Sequence, residues 1–280
     1  MALSRRRSDR ECHLLAGRMA REGRLMAATT QEVQERIAAL GPWFYEFDLG
    51  AHGRTASVLP PEILPIHQTR LEMVNRVVDA HFGGRLRQVR CIDVGCHEGF
   101  YSATMARKGM REVRGIDVRA SNLEKARLVA EVMGLRNLVF EQGNCEDPRV
   151  EEPYELCLFL GLLYHLENPM LCLRNISRLT SELCIIETQV ADEVEGCAEW
   201  GAREWTRPYH GVLALIDESG EFYDENTETG ASPVATCPSP NALHFMLKQA
   251  GFRRTEVIEP PPGAYEQHQR GKRVVCAAYK

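Results

Sequence analysis

Several features that would assign a chain to a specialised class are missing from this sequence of 280 residues. No apolar run approaches the roughly 20 residues that a membrane-spanning helix requires. The first residues, MALSRRRSDRECHLLAGRMA, carry charge but no apolar stretch followed by a small-residue cleavage site. We therefore expect a cytoplasmic protein without membrane contact.

Regular cysteine spacing and a basic excess are also lacking. The ten cysteines include no C-x-x-C pair, which argues against a disulfide framework or a structural zinc site. We expect most of them to be buried as small hydrophobic side chains. Lys and Arg number 34 against 39 Asp and Glu, a net charge of -5. This balance disfavours a dedicated nucleic-acid binder, although a local basic patch could still serve.

The hydrophobic pattern divides the chain into two parts. Residues 1–40 and 66–82 have helical periodicity, with a proline-rich linker between them that follows the aromatic stretch WFYEFDL. The stretch at 43–49 predicts a short strand or a pinned extended segment. From residue 89 onward, buried-type strands alternate with helices, which is typical of a parallel sheet covered on both faces. We predict an N-terminal helical or lid region at 1–65 and a single α/β domain at 66–280.

The most informative stretch is CIDVGCHEGFYS. Asp93 ends a strand, Gly95 and Gly99 lie in the following turn, and a helix begins near Phe100. Ligands of open α/β sheets bind beyond the carboxyl ends of the strands, where glycine lets the backbone approach them. The spacing is D-x-G-x-x-x-G rather than the G-x-G-x-x-G of dinucleotide enzymes, so a dehydrogenase is disfavoured. A carboxylate before one glycine suits a ligand that carries an amino group and no phosphates.

The string DVGCHEG resembles the first motif of class I S-adenosylmethionine-dependent methyltransferases, with His97 in place of the usual middle glycine. Asp117 stands where the family has an acidic residue that binds the ribose hydroxyls, and Asn144 where a polar residue lies against the adenine. The resemblance covers about residues 89–190. It implies a Rossmann-like, doubly wound sheet of seven strands, mostly parallel, with an antiparallel last strand. It also implies S-adenosyl-L-methionine as the cofactor, bound by Asp93, Gly95, Cys96, His97, Gly99, Asp117, Val118, Asn144, Cys145 and Gly161.

The segment GLLYHLENPM follows the fourth strand, where members of this family place residues that face the sulfonium and the acceptor. With ETQV and CPSPNALHFMLKQAGF, it resembles the branch of tRNA wobble-uridine methyltransferases and small-molecule O-methyltransferases. A hydroxyl acceptor must lose its proton, and a histidine can accept it. His165 is our leading candidate for this base, with Glu187 and His210 as alternatives. In the alternative, purely structural interpretation, His165 caps the following helix or packs beneath it. Tyr164 is expected to shape the acceptor pocket. No spacing indicates a metal site.

An insertion at 191–235 shows no clear periodicity. It carries the aromatic residues Trp200, Trp205, Tyr209, His210, Phe222 and Tyr223. Long loops at the ligand end of such a sheet are lids, substrate-binding elements or self-packed loops. Residues 191–228 hold eleven acidic residues against Arg203 and Arg207, a surface that repels phosphates.

Two substrate classes remain open. The tRNA branch uses a carboxylated cofactor, whose extra carboxylate needs cationic partners. In that branch a lysine lies near the segment matching WFYEFDL and an arginine precedes the segment matching CPSPNAL, and both are absent here. We therefore expect the unmodified cofactor. Residues 1–24 hold seven arginines against three acids, which either contact RNA or form a solvated helix face. Our preferred prediction is in-line O-methylation of a small hydroxylated metabolite or sugar. The alternatives are tRNA modification and, less favoured, a non-catalytic cofactor-binding protein.

Overall fold

A seven-stranded sheet forms the centre of the computed structural model, which describes residues 29–150, 152–200, 202–219 and 232–280. Its strands are β1 (Arg90–Val94), β2 (Glu112–Asp117), β3 (Leu138–Gln142), β4 (Tyr154–Leu160), β5 (Thr180–Gln189), β10 (Arg254–Ile258) and β11 (Arg273–Tyr279). Their order across the sheet is β10-β11-β5-β4-β1-β2-β3. Neighbours are parallel from β5 through β3, whereas β11 runs antiparallel to both β5 and β10. The predicted fold class is therefore confirmed, including the antiparallel last strand.

Helices cover both faces of the sheet. Strand β4 shows why, since Leu156 and Leu158 enter the core on one face while Cys157 and Phe159 enter the core on the other. A strand buried on both sides reads as an apolar run, as YELCLFL does. The helices are α1 (Thr30–Leu40), α2 (Pro65–Phe82), α3 (Phe100–Arg107), α4 (Ala120–Val132), α5 (Pro169–Leu179), α6 (Pro240–Ala250) and α7 (Glu266–Gln269). Short 3₁₀ turns occupy Gly50–His52, Gly83–Gln88 and Leu163–His165. None of the helices among the described residues has the length and apolarity needed to cross a membrane.

The aromatic stretch at 43–49 is a pinned extended segment rather than a strand. It makes two isolated bridges, Trp43 to Ser57 and Asp48 to Arg54. Its alternate side chains Trp43, Tyr45, Phe47 and Leu49 are buried in the main core. The predicted helix within 1–40 is present as α1 over its described part; the remainder, including the Arg-rich arm at 1–24, lies outside the described residues.

The insertion contains two antiparallel hairpins that its weak periodicity did not predict. The first joins β6 (Cys197–Trp200) to β7 (Ala202–Pro208), and the second joins β8 (Leu213–Asp217) to β9 (Val234–Pro238). In β8 most side chains are exposed, so the strand lacks the apolar alternation that marks a half-buried one. Phe222 and Tyr223 lie outside the described residues, as do the side chains of Trp200 and Trp205.

The prediction of buried cysteines is confirmed. Eight of the nine described cysteines are buried free thiols, and Cys197 on the first hairpin is the exposed one.

Candidate active site

A cavity of about 330 Å³ opens at the carboxyl ends of the central strands. The chain reverses its direction of progress across the sheet between β1 and β4, which is the point where ligands of open α/β sheets bind. The walls come from the loops after β1, β2, β3 and β4, from the aromatic segment and α2, and from the C-terminal part of the chain. Helix α1 contributes nothing to this wall.

The loop after β1 brings backbone close to the cavity. Gly95 has φ +75°, and a Cβ there would lie 2.6 Å from a methyl carbon of Leu162. His97 has φ 52°, a left-handed conformation that favours the glycine found in the resembled family. Its ring packs at 5.1 Å from the ring of Phe44, so the imidazole joins the aromatic segment at the cavity wall.

The cofactor-binding candidates divide into two groups. Seven of them line the cavity, namely Gly95, His97, Asp117, Val118, Asn144, Cys145 and Gly161. Asp93, Cys96 and Gly99 are not part of this lining. Asp93 is buried and accepts a hydrogen bond of 2.6 Å from the Ser102 hydroxyl, and burial raises its pKa to about 7. These three residues belong to β1 and the loop that follows it but do not face the cavity.

Asp117 is oriented by the backbone around it. Its carboxylate accepts hydrogen bonds from the amides of His97 and Arg119, both at 2.9 Å. Each carboxylate oxygen can accept a second bond, so the side chain keeps capacity for ligand hydroxyls. Cys145, which also lines the cavity, has its sulfur 3.2 Å from that of Cys172.

Tyr164 and His165 line the cavity from the turn after β4. The Nδ1 atom of His165 lies 2.9 Å from Oε1 of Glu218, the residue that directly follows β8. Both side chains are 15% exposed, so this pair is largely withdrawn from water. Helix α5 begins beyond this turn with Asn168 as its N-cap and no side-chain capping bond, so His165 does not cap it.

Beneath the turn lies a buried ionic cluster that the sequence analysis only partly anticipated. The Glu187 carboxylate is 3.1 Å from the guanidinium of Arg70, 3.0 Å from that of Arg273 and 3.5 Å from the ring of His268. Burial alone would raise the pKa of Glu187, but Arg273 and Arg70 hold it well below its usual range. Arg273 also donates to the Tyr164 hydroxyl at 3.3 Å.

The two arginines are functional candidates that the motifs did not reveal. Both line the cavity. Arg70 had a detectable signal, because it lies four residues after Ile66 and three before Met73, on the apolar face of α2. Its Nε atom is buried without a hydrogen-bond partner among the described residues.

His210 lies elsewhere. Its ring stacks on Phe245 at 4.6 Å, and it lines a separate groove with Tyr209 and Met246. The structure therefore brings Tyr164, His165 and the Glu187 cluster to the cavity region and does not bring His210 there.

Comparison with known proteins identifies the family. A family model described as a methyltransferase domain matches residues 86–250, more than half of the chain. The chain belongs to the methyltransferase domain family. The predictions of a methyltransferase and of S-adenosylmethionine as its cofactor are confirmed at the level of the family.

Individual relatives match only parts of the chain in sequence. A ubiquinone biosynthesis O-methyltransferase of Neisseria meningitidis serogroup C is 32% identical over 104 residues, covering 36% of this chain and 43% of that protein. Its counterpart in Vibrio vulnificus is 32% identical over 126 residues, 43% of this chain and 51% of that protein. The chain thus spans about half or less of the length of these relatives.

Solved structures agree on the fold over most of the chain. The N-terminal domain of EvdMO1, crystallised with S-adenosylhomocysteine (SAH) and D-fucose, has a TM-score of 0.65 at 21% identity, covering 90% of this chain and 97% of that one. The magnesium protoporphyrin IX methyltransferase of Synechocystis PCC 6803 with bound SAH has a TM-score of 0.53 at 15% identity, covering 80% and 90%.

The residues of the cavity fit S-adenosylmethionine. Asp117 offers carboxylate oxygens to ribose hydroxyls, and the close backbone approach at Gly95 and Gly161 leaves room for the methionine part. The buried Nε of Arg70, which has no hydrogen-bond partner among the described residues, would be available to donate to the cofactor's carboxylate. A charge-neutral cavity wall would leave that carboxylate desolvated without compensation.

Proposed function

We propose that the protein transfers the methyl group of S-adenosylmethionine to an oxygen of a small hydroxylated molecule, with a sugar as the favoured class. The observation that carries this proposal is that one cavity is lined both by Asp117 and by Tyr164 and His165. When bound, the cofactor supplies an activated methyl group on a sulfonium. The protein's contribution is to align the acceptor and to remove its proton.

His165 is the proposed base. The Glu218 carboxylate, 2.9 Å from Nδ1, accepts a hydrogen bond from the ring only in the tautomer that carries its proton on Nδ1, and in that tautomer Nε2 is the basic nitrogen. Nε2 would take the hydroxyl proton as the oxygen attacks the methyl carbon. Glu187 is a weaker candidate, because two guanidinium groups stabilise its ionised form and a strong acid is a poor proton acceptor.

The acceptor end of the cavity favours a compact polar substrate. Tyr164, His165, Tyr265, Gln267 and Arg273 contribute hydrogen-bonding groups there. A ring with several hydroxyl groups can satisfy such a set, whereas a purely apolar acceptor would leave it desolvated. The EvdMO1 domain of similar fold was crystallised with D-fucose, which agrees with this class of ligand.

One observation favours tRNA wobble-uridine modification as a second candidate. A carboxylated cofactor needs cationic partners, and Arg70 and Arg273 both line the cavity. They belong to other segments than the lysine and arginine that the tRNA branch uses for this purpose. Against it stands the insertion, whose eleven acidic residues at 191–228 would repel a phosphate backbone.

Calorimetry and a transfer assay test these proposals together. S-adenosylmethionine and its carboxylated form would be titrated into the protein, into Asp117→Ala and into Asp79→Ala, an exposed carboxylate on α2 that serves as control. We expect the ordinary cofactor to bind more tightly, with about 100-fold weaker binding in Asp117→Ala. Methyl-labelled cofactor would then be offered with a panel of sugars, catechols and bulk tRNA.

Label in a methyl ether of a sugar or catechol would support the proposal. Preference for the carboxylated cofactor together with label in tRNA would replace it by the second candidate. Absence of binding by either cofactor would contradict both.

A further inference from the structure

We infer that Glu218, supplied by the insertion, is a positioning residue that fixes the tautomer and orientation of His165. This inference rests on the proposed function, in which His165 is the base. It gives the acidic insertion a specific part in the chemistry beyond covering the site.

The second hairpin is fastened to the turn that carries His165. The Thr236 hydroxyl of β9 donates to the Leu166 carbonyl at 2.8 Å, and the Ser232 hydroxyl donates to the Glu167 carboxylate at 2.6 Å. The amide of Glu218 donates to the Pro233 carbonyl at 2.7 Å, which continues the pairing of β8 with β9. The backbone of Glu218 is therefore anchored independently of its contact with His165.

The contact has the geometry of an orienting pair. Oε1 of Glu218 and Nδ1 of His165 are 2.9 Å apart, and each of the two side chains is only 15% exposed. Electrostatic interactions strengthen when water is excluded, so this pair favours one tautomer and stabilises the imidazolium that forms during proton transfer. The imidazole also packs against the ring of Tyr164, and the two ring centroids are 4.1 Å apart.

The charges around His165 are asymmetric. The carboxylate of Glu218 faces Nδ1 directly. The guanidinium carbon of Arg273 lies 4.9 Å from the centroid of the Tyr164 ring. Glu167, two residues after His165, accepts a hydrogen bond from Ser232. Glu218→Gln removes the carboxylate charge next to Nδ1. The imidazolium then becomes less stable, and the acid limb of the pH–rate profile should move to lower pH.

Glu218→Gln, Glu218→Asp and the control Glu195→Gln test the inference. Glu195 is an exposed carboxylate of the same insertion, so its variant matches the change in net charge. In Glu218→Gln we expect kcat to fall about 10- to 100-fold, with the acid limb at lower pH and cofactor affinity within twofold of wild type. Glu218→Asp should recover part of kcat, and Glu195→Gln should behave as wild type.

A second readout needs no acceptor. The ¹⁵N spectra of the histidine rings at pH 8, with the His165 signals assigned from His165→Gln, report the tautomer. We expect the Nδ1–H form in wild type and a mixture in Glu218→Gln. Wild-type tautomer and pH profile in Glu218→Gln would overturn the inference. If the tautomer changes as expected but the wild type methylates no small acceptor, the proposed function fails while the positioning contact stands.

Discussion

The buried carboxylate of Glu98 accepts a hydrogen bond of 3.0 Å from the backbone amide of Tyr45. The same carboxylate accepts from the amide of Phe44 and forms an ion pair of 2.8 Å with Lys125. Glu98 belongs to the loop after β1, so these bonds attach the aromatic segment to the glycine loop. Phe44 and Tyr45 thereby become part of the cavity wall.

Replacing Glu98 by alanine should loosen this attachment. The change leaves two backbone donors without partners and removes the counter-charge of the largely covered Lys125 ammonium, which keeps its bond to the Pro42 carbonyl, at a cost of about 3 kcal/mol in the free energy of unfolding. Affinity for S-adenosylmethionine should also fall, since two wall residues lose their anchor. Urea unfolding and calorimetry measure the two effects. Glu98→Gln keeps one acceptor oxygen and should lose less; equal loss in both variants would show that the backbone bonds contribute little.

Gly95→Ala should separate backbone strain from steric conflict. A Cβ at Gly95 would meet Leu162 at 2.6 Å, whereas one at Gly134, with a similar φ of +65°, would meet nothing within 4 Å. Both alanines pay about 1 kcal/mol for the left-handed backbone. Only Gly95→Ala should in addition weaken cofactor binding, by about 10-fold or more, because Leu162 would be displaced within the cavity wall. Equal cofactor affinities in the two variants would refute the steric explanation.

Asp93 predicts a pH dependence of stability. Its pKa is about 7 in the folded chain against an ordinary 3.8, because burial disfavours the charged form. The folded state therefore holds this proton more tightly, and stability is lost as pH rises from about 4 to about 7. Asp93→Asn removes the titration and retains an oxygen for the Ser102 hydroxyl.

Relative to wild type, Asp93→Asn should gain about 3 kcal/mol in free energy of unfolding between pH 5 and pH 8. Urea unfolding of the cofactor-free protein at the two pH values measures this difference. The exchange Asp79→Asn on the exposed face of α2 is the control, and its difference should stay within about 0.5 kcal/mol. A constant difference for Asp93→Asn would mean that the buried carboxyl is ionised throughout.

Local sequence was sufficient for the central sheet and for most of the cofactor side. The apolar run YELCLFL predicts a strand buried on both faces, and Asp117 was placed by its position at the end of a strand. These features depend on residues close together in the chain. Asp93 shows the limit, since a motif residue in this loop faces Ser102 rather than the cavity.

The remaining site residues depend on contacts between distant segments. Glu218 meets His165 across 53 positions, and Arg273 meets Glu187 across 86. When only neighbours along the chain are considered, a charged residue at one of these positions cannot be distinguished from an ordinary exposed one. The hairpin β8–β9 has the same difficulty, because its exposed strand carries no apolar alternation.

The choice among the proposed bases can be decided by exchanging each for a neutral side chain. His165→Gln should lower kcat about 100-fold or more while leaving cofactor affinity near that of wild type, because the side chain acts on the acceptor proton. His210→Gln is the matched control, since His210 stacks on Phe245 in a separate groove and should leave kcat unchanged. Glu187→Gln should instead reduce the free energy of unfolding, because Arg70 and Arg273 lose the carboxylate that compensates their burial. Steady-state kinetics with a methylated sugar or catechol product, paired with calorimetry, distinguish these effects. Full activity in His165→Gln, or its loss in His210→Gln, would reassign the base.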